Sequence, residues 1–165
     1  MNRTEKAELI ETLQSTFNAS TTVVVAHQIG MTVAESGDLR HAMTVSSVFS
    51  VSLEPMSMAV SVNQSASLHD LLMEETKFSL NLLTADQVDI AEICSGAEEG
   101  QIRFNHPDWN LEKIPYLQSA QSNLFCTCKK IVPLYSHSLV IGEVNDIFHS
   151  GKTDPLIYQD GKYES

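Results

Sequence analysis

The chain is expected to be a mainly β, α+β protein, built as an antiparallel β-barrel with short helices at its margins. Three observations predict this. Most of its patterned segments are short, rich in Val, Ser, Thr and aromatic residues, and bounded by turn residues, which is how strands read. Only a few short stretches carry helical spacing, and many strands with few helices indicate an antiparallel barrel. The 165 residues make one domain's worth of chain, without internal repeats or linkers. Such a length buries roughly two thirds of its unfolded surface and needs no disulfide or metal staple.

Residues 4–18 are predicted to be helical. Leu9, Ile10, Leu13 and Phe17 recur at helical spacings, and Asn2 with Glu5 has capping-box spacing. The β-branched run at residues 22–26 reads as a buried strand, and residues 31–34 as a second short one before a Ser36-Gly37-Asp38 turn. Residues 39–53 read as one long strand, or a strand with a bulge, closed by Pro55. A strand at 57–62 leads through the polar loop NQSAS to a short helix, where Ser67 and Asp70 have the spacing of an N-cap and its N3 carboxylate.

Residues 78–83 form another predicted strand. The helix after it has Thr84 and Gln87 as its capping box and Gly96 as its C′ residue. Residues 97–123, with Pro107, Trp109 and Pro115 scattered through an acidic, polar stretch, read as an excursion or lid. The last third reads as three strands ending in a Gln159-Asp160-Gly161 turn.

Composition removes several function classes. A formal charge of -11 makes nucleic acid a poor partner, because binders of the phosphate backbone display a basic face. It leaves room for a small phosphorylated ligand, which needs only a local cluster of hydroxyls, amides and one Arg. No run of about 18 apolar residues suits a membrane span, and the amino terminus has no apolar region of the secretory kind. A cytoplasmic location is expected. Cys94, Cys126 and Cys128 include no C-x-x-C pair, so buried free thiols are expected, with Cys126 and Cys128 on one strand face. His27, His41, His69, His106 and His149 show no metal-ligand spacing.

At HAMTVSSVFSVSLEP the sequence closely resembles the short-chain flavin reductase family, the reductase components of two-component flavin-dependent monooxygenases. The likeness continues through SVNQSASLHDLL, FSLNLLTADQ, Arg103-Phe104 followed by Trp109, the Cys126 strand, HSLVIGEV and PLIYQDGKY. It runs from about Leu39 to Tyr163, in the family's order and spacing. Residues 1–40 also resemble the amino-terminal segment of the large-subunit ribosomal stalk-base protein, so 1–38 is an atypical helix and strand within a single domain spanning 1–165. The basic surface that rRNA binding demands is missing.

The family resemblance implies a split β-barrel homodimer of flavin reductase type. It implies FMN or FAD as flavin, NADH or NADPH as electron donor, and a separate monooxygenase receiving the reduced flavin. The alternative is a flavin-binding split barrel without catalysis. Hydride passes between the two cofactors, so the protein's part is to orient two rings and exclude water, and no catalytic triad is expected.

By the same resemblance, Thr44, Val45, Ser46 and Ser47 match the segment whose amides and hydroxyls bond the flavin ring edge and ribityl chain, and Ser50 continues it. Hydroxyls on a strand also make plain cross-strand pairs. Asn63, Ser65 and Ser67 match the loop near the flavin phosphate. A helix N-terminus there would suit an anion, although plain capping by Ser67 is equally compatible and Asp70 would compete for the same donors. Asn81 matches a strand lying against the ring. Arg103 and Phe104 match a ligand-facing pair, in which Arg103 suits bidentate phosphate binding or a solvated charge. His137 sits where the family has a histidine near the nicotinamide, and Tyr158 flanks that pocket or packs in the core.

Overall fold

A computed structural model describes residues 2–17, 22–29, 38–45, 47–97 and 100–164. Helix α1 (Arg3–Phe17) is followed by β1 (Thr22–Ile29), β2 (Asp38–Val45), β3 (Val48–Leu53) and β4 (Met56–Asn63). Then come α2 (Ser67–Leu71), β5 (Lys77–Leu82), α3 (Val88–Glu92), and the short strands β6 (Trp109–Asn110) and β7 (Tyr116–Leu117). The long strands β8 (Ser122–Leu134) and β9 (His137–His149) precede the terminal hairpin β10 (Ile157–Gln159) and β11 (Lys162–Glu164).

Seven strands form one antiparallel sheet in the order β2-β1-β5-β8-β9-β4-β3. Its two edge strands, β2 and β3, are sequence neighbours. In a flat sheet they would lie about 29 Å apart, six spacings of roughly 4.8 Å. The link from Val45 to Val48 reaches only about 11 Å. The sheet is therefore rolled, and the backbone N–H of Ser61 in β4 donates to the Ser47 carbonyl at 3.2 Å, beside the seam. This corrects the long strand, straight or bulged, expected over residues 39–53: the segment is two strands on opposite edges. The Val-Ser-Thr pattern runs unbroken through the junction, so local pattern carried no sign of the break.

The barrel interior is filled from alternate positions of the strands, among them Val60, Val62, Phe78, Leu80, Leu82, Leu124, Cys126 and Val140. Ile10 of α1 and Leu68 and Leu71 of α2 join the same core, so the two helices plug the barrel. α1 is capped as its sequence implies: the Glu5 N–H donates to Asn2 Oδ1 at 3.0 Å and the Asn2 N–H to Glu5 Oε2 at 2.7 Å. Outside the barrel a second core gathers Ala42, Leu83, Ile90, Cys94, Phe104, Trp109, Leu117 and Leu156. The segment expected as an excursion is thus a packed cap. The rings of Phe104 and Trp109 lie 5.0 Å apart, and the Trp109 indole N–H donates to the Arg103 carbonyl at 2.9 Å.

Other local expectations changed. Ala66, and not Ser67, is the N-cap of α2, with no side-chain cap bond, and α2 is only five residues long. The helix starts at Ser67, directly after the loop as expected, but as a single turn it aligns few peptide dipoles. α3 is likewise five residues; Gln87 stands at its N-cap position without a side-chain cap bond, although the Thr84 N–H does donate to Gln87 Oε1 at 3.0 Å. Gly96 ends this helical stretch with φ 118°, a left-handed conformation that costs glycine little. The second short strand expected at 31–34 and Ser36-Gly37 of its turn lie outside the described residues, and Asp38 begins β2. All three cysteines are free and buried. Among the described residues no helix is long and apolar enough to cross a membrane.

Candidate functional site

The residues singled out in sequence fall into two neighbouring groups and an interior set. The first group is a rim at one end of β4. Register places Asn63 opposite His137 on β9, and the bond between Ser61 and Ser47 brings the β2–β3 junction to the same end. Asn63 Oδ1 accepts from the Ser65 N–H at 2.9 Å and the Ser65 hydroxyl at 2.8 Å, a local turn that fixes the loop. His137 is exposed, and its Nδ1 is paired with the Ser136 hydroxyl at 2.8 Å. Ser47 and Ser65 are exposed on this rim, while Ser50 lies further along β3 opposite Met58 and is half-buried. Ser67 heads α2, which packs against β1, β2 and β4. Ser46 lies outside the described residues.

The second group lines a cleft of about 700 Å³ bounded by Thr44, Val45, Glu92, Tyr158, Lys162 and Tyr163. Thr44 donates its hydroxyl to the Ala91 carbonyl at 2.7 Å, which ties β2 to α3 at the cleft floor. Val45 belongs to both the cleft and the barrel core. Tyr158 and Tyr163 are directly opposed across the β10–β11 hairpin, with ring centroids 5.0 Å apart. The turn between them has positive φ at Asp160 and Gly161, 51° and 77°, as a two-residue hairpin of matching twist requires. Burial pushes the Tyr163 phenol up, against a hydrogen bond from Ser95. Tyr163 and Lys162 were not singled out in sequence, although the Gln-Asp-Gly turn places Tyr163 across from Tyr158.

Three candidates are drawn into the packing. Asn81 is fully buried; its Oδ1 accepts from the Leu117 N–H at 2.9 Å and from Asn123 Nδ2 at 2.8 Å, and its Nδ2 donates to Ser79 at 2.9 Å. Its amide anchors the β6–β7 segment to the sheet. Phe104 is buried in the outer core. Arg103 is half-buried and donates to the Ala42 carbonyl. Its guanidinium lies near enough to His41 that it adds to burial in holding the imidazole below its usual range, with Asp70 of α2 opposing. Cys94 is pushed up to about 12 by burial, which outweighs Arg103, so it stays a thiol at neutral pH.

Sequence reading also passed over Gln64 and His69. Gln64 sits between two flagged residues, Asn63 and Ser65, and only the register of β4 with β9 reveals what it touches.

Residues 15–165 match the family model described as flavin reductase like domain. The match reaches back across most of the segment expected to be atypical. The chain is 34% identical over 150 residues to the reductase component of the FADH(2)-dependent resorcinol hydroxylase of Rhizobium sp. strain MTP-10005, covering 89% of this chain and 80% of that protein. Among solved structures it resembles the flavin reductase component of a bacterial two-component tryptophan halogenase, with TM-score 0.75, 26% identity, and coverage of 93% and 96% of the two chains. It is also similar to the styrene monooxygenase flavin reductase of Pseudomonas putida S12, with TM-score 0.72, 25% identity, and coverage of 92% and 94%.

Proposed function

Because the chain belongs to the flavin reductase like domain family, we propose that it is an NAD(P)H-dependent flavin reductase, using FMN or FAD and handing reduced flavin to a separate monooxygenase. The observation that carries the reading is the seam of the barrel. Rolling the sheet brings the β2–β3 hydroxyl segment, the Asn63–Ser65 turn and His137 to one rim, next to a cleft whose volume lies within the usual range for small-molecule sites.

The residues present suit such a ligand. Ser47 and Ser65 offer exposed hydroxyls, the tilted Tyr158–Tyr163 pair offers aromatic surface on the cleft wall, and Lys162 beside it offers a cation in an otherwise acidic protein. When bound, a flavin would supply the hydride acceptor for the nicotinamide. The chain's own contribution is to bind, orient and exclude water. His137 is the group that would meet the nicotinamide. Its Nδ1 is held by Ser136, and among the described residues its Nε2 has no hydrogen-bond partner, so that nitrogen is available to a carboxamide.

The reading includes a homodimer. Phe49 and Val51 on the edge strand β3, which also packs against α1, are exposed apolar residues, 44% and 50% accessible; natural proteins tend to cover such edges. They lie on the strand that follows the rim, so a second copy seated there would wall the site.

The test is steady-state oxidation of NADH and NADPH with added FMN or FAD, together with flavin titration. Turnover with at least one pair is expected. Quenching of flavin fluorescence without oxidation of either nicotinamide would overturn the enzyme reading in favour of a binding module.

A further inference from the structure

A strap of hydrogen bonds joins the Asn63–Ser65 turn to the β8–β9 turn that carries His137, and its centre is Gln64. The Gln64 backbone N–H donates to the Ser136 carbonyl at 2.9 Å. Its side-chain Nε2 donates to the His137 carbonyl at 2.8 Å and lies 3.5 Å from the Ser138 hydroxyl. The Ser138 hydroxyl is paired in turn with Nε2 of His69 on α2 at 2.8 Å. Ser138 is buried, whereas His137 is exposed and its ring, among the described residues, is paired only to Ser136.

Two features make this more than a local turn. The β8–β9 turn is a two-residue connection whose first residue, Tyr135, has φ 53° and is 96% exposed, so the turn has little packing of its own to hold it. The barrel core ends at Val62 and Val140, one to three residues short of the rim. Beyond that point Ser138 is still buried, but the exposed His137 is held by its ladder pairings with Asn63 and Leu134 and by the Gln64 strap. Gln64 contributes both a main-chain and a side-chain donor to successive residues of the turn, which defines its height and its rotation about the strand axis.

We propose that Gln64 is a positioning residue for the nicotinamide step, holding the His137 backbone in place so that the imidazole meets the donor ring. This rests on the reductase reading above. His69, through Ser138, braces the same turn from α2. Gln64 itself touches neither substrate; it acts through His137. The side-chain contact requires a donor, because its partner is a carbonyl. That requirement distinguishes it from a volume-filling role.

The experiment compares Gln64→Glu, which keeps the shape and removes the donor, with Gln64→Arg, which restores a donor at similar reach. Glu should raise the Michaelis constant for NADH roughly five-fold, the scale of one lost hydrogen bond. The dissociation constant for FMN, read by fluorescence quenching, and the thermal midpoint should stay near the unchanged protein's, and Arg should recover most of the loss. Amide hydrogen exchange at residues 136–138 should accelerate in Glu and return in Arg. An unchanged constant for NADH in Gln64→Glu, with the unchanged protein turning over normally, would overturn the positioning role and leave the reductase reading intact. Equal losses in NADH, FMN and thermal midpoint would overturn it in favour of simple structural support. Absence of turnover in the unchanged protein would overturn the reductase reading, and this role with it.

Discussion

The ring of Phe78 lies directly over Gly142 inside the barrel: a Cβ built on Gly142 would sit 2.5 Å from Phe78 Cζ and 3.0 Å from the Cβ of Cys126. Phe78 belongs to β5 and Gly142 to β9, separated by β8, where Cys126 faces Phe78 and Cys128 faces Gly142. The aromatic ring therefore spans three strands across the gap that the glycine leaves. Gly142→Ala should destabilise the protein by about 1–3 kcal/mol through overpacking. Urea unfolding measures it, and Phe78→Leu in the same chain should return part of the loss by making room. Additive losses in the double variant would contradict this contact as the cause.

The buried Asn81 amide anchors the cap. Asn81→Ala removes the acceptor for the buried Leu117 N–H and one acceptor for Asn123, which should cost about 2–4 kcal/mol of stability. Flavin affinity of the folded protein should change by less than about twofold, since such a loss lies outside the pocket. A normal unfolding midpoint with weakened flavin binding would restore the sequence expectation.

His41 should give the stability curve a slope near neutral pH. Burial and then Arg103 hold its imidazole below the ordinary 6.5, with Asp70 opposing, so the native state binds that proton less readily than the unfolded chain. The contribution of the neutral ring is complete above about pH 6.5 and is lost as pH falls through the lower folded value. His41→Gln should flatten the urea midpoint between pH 7 and 5 relative to the unchanged chain. Parallel profiles would remove His41 from the explanation.

His137→Ala should raise the Michaelis constant for NADH roughly three- to tenfold, the scale of one charge-assisted or neutral hydrogen bond, with little change in the flavin constant. Initial rates at fixed flavin and varied NADH, then the reverse, separate the two. A larger effect on flavin would place the imidazole elsewhere.

How much could be read in advance depends on how far each cause reaches along the chain. The reciprocal bonds of Asn2 and Glu5, the left-handed Gly96 and the Asp160-Gly161 turn were all readable, because each depends on residues within a few positions. The division of residues 39–53 was not, since hydroxyl and β-branched residues suit either edge of a sheet. Only the pairing of β2 with β1 and of β3 with β4 separates them. Ser67 had the right spacing for a cap, yet the Leu68 and Leu71 side chains had to enter the core. That packing set where the turn of helix began.

The order of residue types was enough to establish a strand-rich barrel, its family and the hydroxyl, asparagine and histidine positions of the proposed rim, because those signals are local in chain or carried by motif. Where each of those side chains sits was decided in three dimensions. Asn81 and Phe104 are enclosed, Thr44 is bonded to Ala91, and Asn63 meets His137 through a register linking residues 74 positions apart. The physical reason is that a rolled sheet brings its edges together through pairings between distant strands, and a polar group's partner depends on that closure more than on its neighbours in sequence.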